Sequence, residues 1–320
     1  MNLDVLVIGK TGFDIFVTGK ELKPGLVDRD GSVTLLNNHT YGADHSVYEV
    51  GGSGMNAAIT FARQGIKAGC ISRTGKDYLA NQIKLVQKNE GLEPELTINK
   101  PEHHTDLNFH IVTERASEIL INYENSNNSL SSKDFSYPDL TTRVVYLSEL
   151  PTDFRLYKYL AKWAKMHGAQ IFLNLDDSKG YRTSQINYVL TTAENIMMSL
   201  PAGASIFNDV FDAKEIIRQL LAFGARTVLL YDVTQEAYAC VDKSLFTCGT
   251  YKNINPLDLT GANDVFAAGF ASVLIQKRSV VEALTFASAN ACSVMEVMGT
   301  RAGILKKPAL RSMKVESGDL

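Results

Sequence analysis

No stretch of this chain is long and apolar enough to span a bilayer. Charge of neither sign predominates: 32 Lys and Arg stand against 35 Asp and Glu, for a net charge of −3. That balance gives no electrostatic reason to expect nucleic acid or an anionic membrane as the main partner, so a small molecule is expected instead. Cysteine is scarce. Cys70, Cys240, Cys248 and Cys292 lie far apart and form no C-x-x-C pair, which indicates neither a zinc site nor a disulfide framework and fits a reducing cytoplasm with four buried thiols. Met1 to Gly9 lacks the basic region, apolar run and cleavage site of a signal peptide and reads as a first strand. Internal repeats and low-complexity segments are likewise missing.

What is present is an ordinary globular composition, 45% apolar and 21% charged over 320 residues, enough for one large α/β domain or one with a smaller appendage. Short apolar strands alternate with helical segments, the pattern of a parallel sheet covered on both faces. The spacing predicts strands at Asp4 to Ile8, Ala68 to Ser72, Val144 to Leu150, Ile171 to Leu175, Ile196 to Leu200 and Thr227 to Tyr231. Helices are expected at Met55 to Gln64, Phe154 to His167, Ala213 to Phe223, from near Gly261, and at Val280 to Met298; Gly65, Gly168 and Gly224 act as stops. Two stretches, Thr11 to Tyr48 and Pro94 to about Ser129, show period-two patterning without a helical run. They read as a small antiparallel sheet outside the main one, with two long irregular loops as the alternative.

Three segments carry candidate chemistry. In Asp258-Leu259-Thr260-Gly261-Ala262-Asn263-Asp264, small residues precede an apolar helix, so the first amides of that helix point outward into a natural anion pocket. Asp264 in the first turn can accept a proton from an attacking hydroxyl; its plainer role would be to complement the helix dipole. Gly51-Gly52-Ser53-Gly54-Met55-Asn56 allows close backbone approach to a ligand, and Asn56 brings a donor and an acceptor for a polyol, although a tight turn with a capped helix explains the same residues. Asp14 follows the first strand, where α/β folds bind ligands and where a carboxylate can accept two sugar hydroxyls, unless it is only a solvated loop residue. Gly51 to Gly54 is not the G-x-G-x-x-G of a dinucleotide fold, and Gly9-Lys10-Thr11-Gly12 lacks the spacing of a Walker A loop.

The order and spacing of these segments resemble the ribokinase or PfkB family of carbohydrate and nucleoside kinases. Gly9 to Asp14 resembles its opening strand and sugar-contacting Asp, Gly51 to Gly75 its first signature, and Asp258 to Gly269 its second, usually D-T-x-G-A-G-D. The resemblance implies a ribokinase-like three-layer α/β sandwich with a mostly parallel central sheet and a small β-sheet lid. In that frame 1–10, 49–93 and 130–320 make the nucleotide- and substrate-binding core, and 11–48 and 94–129 the lid. It implies ATP along the carboxyl edge of the sheet, magnesium, a sugar or nucleoside acceptor, and a homodimer formed through the lid.

Matched position by position, Asp264 is the expected general base and Gly261, Ala262 and Asn263 the anion hole; Asp14, Gly52 and Asn56 would hold the acceptor, with Glu149 as a further acceptor contact. Asn290 resembles a residue near the nucleotide, and Asp258 a position that in some members helps hold a monovalent cation such as potassium. The pattern departs at three places. Asn263 stands where Gly is usual; Ser199-Leu200-Pro201-Ala202 replaces an N-x-x-E element linked to magnesium; and the stretch Thr227 to Tyr238 lacks the glycines of a nucleotide-contacting T-x-G-x-x-G. These departures leave a second reading open, a ribokinase-like sugar-binding or regulatory protein with weak or no catalysis.

Overall fold

A computed structural model describes residues 1–22, 35–113, 118–137, 139–176, 180–249, 254–306, 314–318 and 320. Parts of the two stretches expected to form the small sheet, 23–34 and 114–117, lie outside the described residues. The strands are β1 (Val5–Ile8), β2 (Gly12–Thr18), β3 (His45–Gly51), β4 (Ala68–Thr74), β5 (Thr97–Asn99), β6 (Leu107–Val112), β7 (Glu118–Tyr123), β8 (Val144–Leu147), β9 (Gln170–Asn174), β10 (Asn195–Ser199), β11 (Thr227–Tyr231), β12 (Glu236–Val241), β13 (Ser244–Gly249) and β14 (Val315–Gly318). The helices are α1 (Ser53–Arg63), α2 (Tyr78–Asn89), α3 (Phe154–His167), α4 (Thr183–Thr192), α5 (Leu200–Ile206), α6 (Ala213–Ala222), α7 (Ala262–Ile275) and α8 (Val280–Met295).

Ten strands form one sheet in the order β14-β13-β12-β11-β10-β9-β8-β1-β4-β5, parallel from β5 to β11 and antiparallel beyond. Its inner strands are short, apolar and buried on both faces because helices cover both sides. Along β1, Leu6 and Ile8 pack into a core with α3, α4 and α6, while Val5 and Val7 pack into a second core with α1, α7 and α8. The result is a three-layer α/β sandwich. Helix α7 is apolar on nearly every side, since it lies against α1 and α8 as well as the sheet. The parallel run brings the carboxyl ends of β1, β8, β9 and β10 to one edge, the position at which α/β sheets present ligand-binding loops.

A second sheet, β3-β2-β6-β7, stands apart from the first. It is mixed rather than purely antiparallel: β2 pairs antiparallel with β3 but parallel with β6, because the long 52–106 connection returns the chain in the same direction. Strand β5, within the expected 94–129 stretch, pairs with β4 in the large sheet instead. Register sorts the small sheet into two unlike faces. One carries the row Tyr48, Ile15, Phe109, Ile121; the other carries Glu49, Asp14, Asn108, Asn122 and, beside them, Val47, Phe16, His110, Leu120.

Helix ends differ modestly from the expectations. Helix α1 starts two residues early, at Ser53, because Gly52 takes the cap position at φ 96°. Helix α8 ends at Met295 rather than Met298, where the chain turns into a segment running past residue 300.

Candidate active site

Gly261 caps α7 in the left-handed region at φ 76°, and a side chain there would crowd the Asn56 amide at 3.0 Å and Thr300 at 3.2 Å. This turn presents the start of α7 to the carboxyl edge of the sheet. The Ala262 amide donates back to the Leu259 carbonyl at 3.1 Å, so it is unavailable to the expected three-amide hole. Among the described residues the amides of Gly261 and Asn263 have no partner, as the first N–H groups of a helix usually do not.

Asp264 follows in the first turn, half-buried, and accepts a hydrogen bond from Asn56 Nδ2 at 3.1 Å. Among the described residues it makes no ion pair. Burial raises its pKa, the Asn56 bond lowers it, and the charges of Asp176, Glu149 and Asp14 raise it again, for a net rise from 3.8 to about 7. A carboxylate poised near neutrality, without a cation to neutralise it, has the character of a general base.

Asp14 lies on β2, buried, with Oδ1 accepting from Asn108 Nδ2 at 2.7 Å. A side chain at Gly51 would collide with its Oδ2, so glycine is required where β3 meets the site. Gly52 supplies the carbonyl that accepts the Asn56 amide, and Asn56 is buried with Oδ1 lacking a partner. The structure therefore brings Asp14, Gly52, Asn56, Gly261, Asn263 and Asp264 together.

Glu149 stands at the edge of this group. Its carboxylate accepts from Lys10 N at 3.0 Å and Ser53 Oγ at 3.1 Å and lies 3.3 Å from Lys10 Nζ. Burial lowers the Lys10 pKa, but Glu149 and Glu124 outweigh it and push the amine up to about 12; burial raises Glu149.

Two sequence-predicted residues are occupied otherwise. Asn290 is buried with both ends of its amide engaged, Nδ2 to the Val265 carbonyl at 3.0 Å and Oδ1 from the Leu305 amide at 2.9 Å, so it clamps α8 to α7 and to the following turn. Asp258 is buried, with Oδ1 accepting from Thr260 N and Oγ1 and Oδ2 from the Gly299 amide at 3.0 Å. It fixes the loop before α7 against the 299–301 turn, which Glu49 holds from the other side through the Arg301 amide at 2.8 Å.

Several polar groups here had escaped the motif reading. Asp176, just past β9, accepts from the Tyr231 hydroxyl at 2.8 Å and from the Ser199 amide at 2.6 Å, and burial raises its pKa. It occupies the neighbourhood of the missing N-x-x-E; its position after a strand end was the available signal. In the β11-β12 turn, Asp232 accepts from the Thr234 amide at 2.8 Å and tightens the connection that lacks glycine. Among the described residues, buried atoms without hydrogen-bond partners lie at the same edge: Asn56 Oδ1, Tyr146 OH, Asn174 Nδ2 and Thr300 Oγ1. Unsatisfied buried groups are costly, so this concentration marks a place built to meet a ligand.

The family model of pfkB carbohydrate kinases matches residues 27–307. The chain belongs to the pfkB family of carbohydrate kinases. It is a sugar kinase with a ribokinase-like fold. Among curated relatives, ribokinase of Haemophilus influenzae is 23% identical over 265 residues, 79% of this chain and 83% of that protein. The 5-dehydro-2-deoxygluconokinase of Clostridium tetani is 24% identical over 304 residues, 85% and 86% of the two chains. Among solved structures, Arabidopsis thaliana ribokinase complexed with ribose and ATP superposes with TM-score 0.74 at 17% identity, covering 95% of this chain and 96% of that one. A putative ribokinase II from E. coli in complex with ATP and Mg2+ gives TM-score 0.76 at 15% identity over the same shares. No helix among the described residues is long and apolar enough to cross a membrane.

Proposed function

We propose that this protein transfers the γ-phosphoryl group of ATP to a hydroxyl of a small sugar or nucleoside-like acceptor held by Asp14, Gly52, Asn56 and Glu149. The acceptor hydroxyl gives its proton to an Asp264 carboxylate oxygen as its oxygen bonds to the γ-phosphorus, and the bond to the β-phosphate oxygen breaks to release ADP. The amides of Gly261 and Asn263 face the charge that spreads over the transferring oxygens. The observation that carries this reading is Asp264 itself, at a helix start with free amides, bonded to Asn56, and with its pKa raised to about 7.

Magnesium fits the chemistry of the edge. Asp176 is a hard oxygen donor whose charge raises the pKa of the nearby Asp264, and among the described residues no cluster of three His, Cys, Asp or Glu would hold a metal unaided. Asp176 would hold it together with the nucleotide phosphates, leaving Asp264 as the base, and it would neutralise phosphoryl charge there.

The small sheet acts as a lid in this reading, and a second copy covers its outer face. That face bears Tyr48, Ile15, Phe109 and Ile121 in one row, with Tyr48 and Ile121 more than half exposed and no charged residue in the rows on either side of it.

A thermal-shift screen run beside a coupled ATPase assay across sugars and nucleosides tests occupancy and turnover separately. Turnover of one acceptor with ATP and magnesium, lost by at least about a hundredfold in Asp264→Asn, supports the kinase reading. A sugar that raises the melting temperature without any turnover favours a binding protein, the outcome to which the missing N-x-x-E and the glycine-free β11-β12 turn would point.

A further inference from the structure

His110 lies on β6 between two carboxylates carried by the flanking strands of the small sheet, Asp14 on β2 and Glu118 on β7. Its ring is buried, 1% exposed, and stacks on Phe16 with centroids 4.1 Å apart. Nδ1 is 2.6 Å from Glu118 Oε2 on β7. Nε2 lies 3.5 Å from Asp14 Oδ1, within ion-pair range but longer than a good hydrogen bond, and has no other partner. Glu118 reaches further: both its carboxylate oxygens are 3.4 Å from Thr260 Oγ1, at the end of the loop that leads into α7.

We infer that His110 is a positioning residue of the acceptor site, bridging Asp14 on β2 to Glu118 on β7 and thereby fixing, across the small sheet, the carboxylate that receives acceptor hydroxyls. The inference rests on the kinase reading for the ligand that Asp14 receives. Asn108 and His110 both address Asp14 Oδ1, which leaves Oδ2 pointing over Gly51, close to where the unpartnered Thr300 Oγ1 lies. One oxygen is thus fixed by the small sheet and the other is turned to the site. Thr260 Oγ1 donates its single hydroxyl hydrogen to Asp258 Oδ1 at 2.7 Å, and Asp258 Oδ2 accepts from the Gly299 amide, so Glu118 lies beside a loop that is itself fixed to the 299–301 turn.

Charge supports the geometry. Burial alone would lower the His110 pKa, but the close approach of Asp14, the bond to Glu118 and the charges of both carboxylates outweigh burial and push it up to about 9. The ionisable groups facing it are Asp14 from β2 and Glu118 from β7; Glu49 from β3 and Asp258 behind Thr260 lie one residue further along these contacts. Because the folded value lies above the ordinary 6.5, the stabilisation from the bridge is complete below that pH and is lost as pH rises through about 9. Acceptor affinity is expected to weaken over the same window.

The test uses the full chain. In wild type and His110→Gln, the Michaelis constants for acceptor and ATP, kcat and the ligand-free melting temperature are measured, and Glu118→Gln is measured alongside. A lost charge-assisted bond of about 1.4 kcal/mol corresponds to about a tenfold rise in the acceptor KM. The expected result is that rise in His110→Gln, with kcat and the KM for ATP changed less than about threefold, and a smaller rise of the same kind in Glu118→Gln. An acceptor KM within twofold of wild type overturns the inference, and so does a joint fall in kcat, affinity and melting temperature. Imidazole nitrogen NMR on the ligand-free protein decides independently of turnover: His110, assigned by the signal missing in His110→Gln, is expected doubly protonated at pH 7.5. A neutral ring there overturns the inference even if the kinase reading holds. If no acceptor turns over while the ring is doubly protonated and neutralises in Glu118→Gln, the kinase reading fails and the bridge stands.

Discussion

Replacing Asp264 by Asn should stabilise the protein while removing its activity, and the stabilisation should depend on pH in a defined way. Burial and the charges of Asp176, Glu149 and Asp14 hold the carboxyl at about 7 against an ordinary 3.8. A carboxylate raised in the folded state costs no stability while protonated in both states, then costs progressively more as pH climbs from 3.8, and the cost levels off above about 7. A displacement of about three pH units at about 1.4 kcal/mol each sets a ceiling of about 4 kcal/mol. Water reaches the half-buried side chain and screens part of this, so about 1–3 kcal/mol is expected at pH 8, equivalent to a few degrees in melting temperature for a chain of this size. Asparagine preserves the bond from Asn56 Nδ2, because its side-chain oxygen can still accept, so packing is little disturbed. The assay is urea denaturation of wild type and Asp264→Asn at pH 5 and pH 8. The gap should widen between the two by about 1–2 kcal/mol in favour of the variant. A variant no more stable than wild type at pH 8, or a gap equal at both pH values, would refute an uncompensated carboxylate at this position, and with it the reason to regard Asp264 as a base.

Asn56→Ala removes the donor that lowers the Asp264 pKa, so the acid limb of the kcat/KM profile, expected near pH 7 in wild type, should move to higher pH; a limb that stays in place would show that the bond is not felt. Gly51→Ala places a methyl group against Asp14 Oδ2 and should abolish acceptor-induced thermal stabilisation while the fold persists by circular dichroism. Arg63 binds Glu90 at 2.6 Å and the carbonyls of Arg301 and Ile304 at 3.1 and 2.6 Å, almost excluded from solvent. Arg63→Ala should cost about 2–4 kcal/mol in denaturant unfolding, since it strands those carbonyls and leaves Glu90 only the longer 3.3 Å contact with Arg301.

The strand and helix pattern was legible because it depends on short-range facts. The segments Val228, Leu229 and Leu230 in β11 and Phe154 to His167 in α3 announce themselves by apolar runs, periodicity and a closing glycine, and the structure keeps them where the spacing put them. The helix start at Gly261 was legible for the same reason: a small-residue turn before an apolar helix fixes its own dihedrals. The partners of Asp264 were not. Asp176 lies far from it in sequence, and no spacing rule links the end of β9 to the first turn of α7.

Sequence by itself determined the inner strands β1, β4, β8, β9, β10 and β11 of the large sheet, the helices α1, α3, α6, α7 and α8, and that a carboxylate with free amides would sit at the head of one of them. Tertiary structure decided the rest: that β2 and β6 run parallel, that Asn290 and Asp258 are bound up within the chain, and that His110 comes to lie between Asp14 and Glu118. The physical reason is range. Dihedral preference and burial period act over a few residues, whereas which strand ends meet at one edge depends on the packing of the whole chain, where polar neighbours are chosen by topology rather than by spacing.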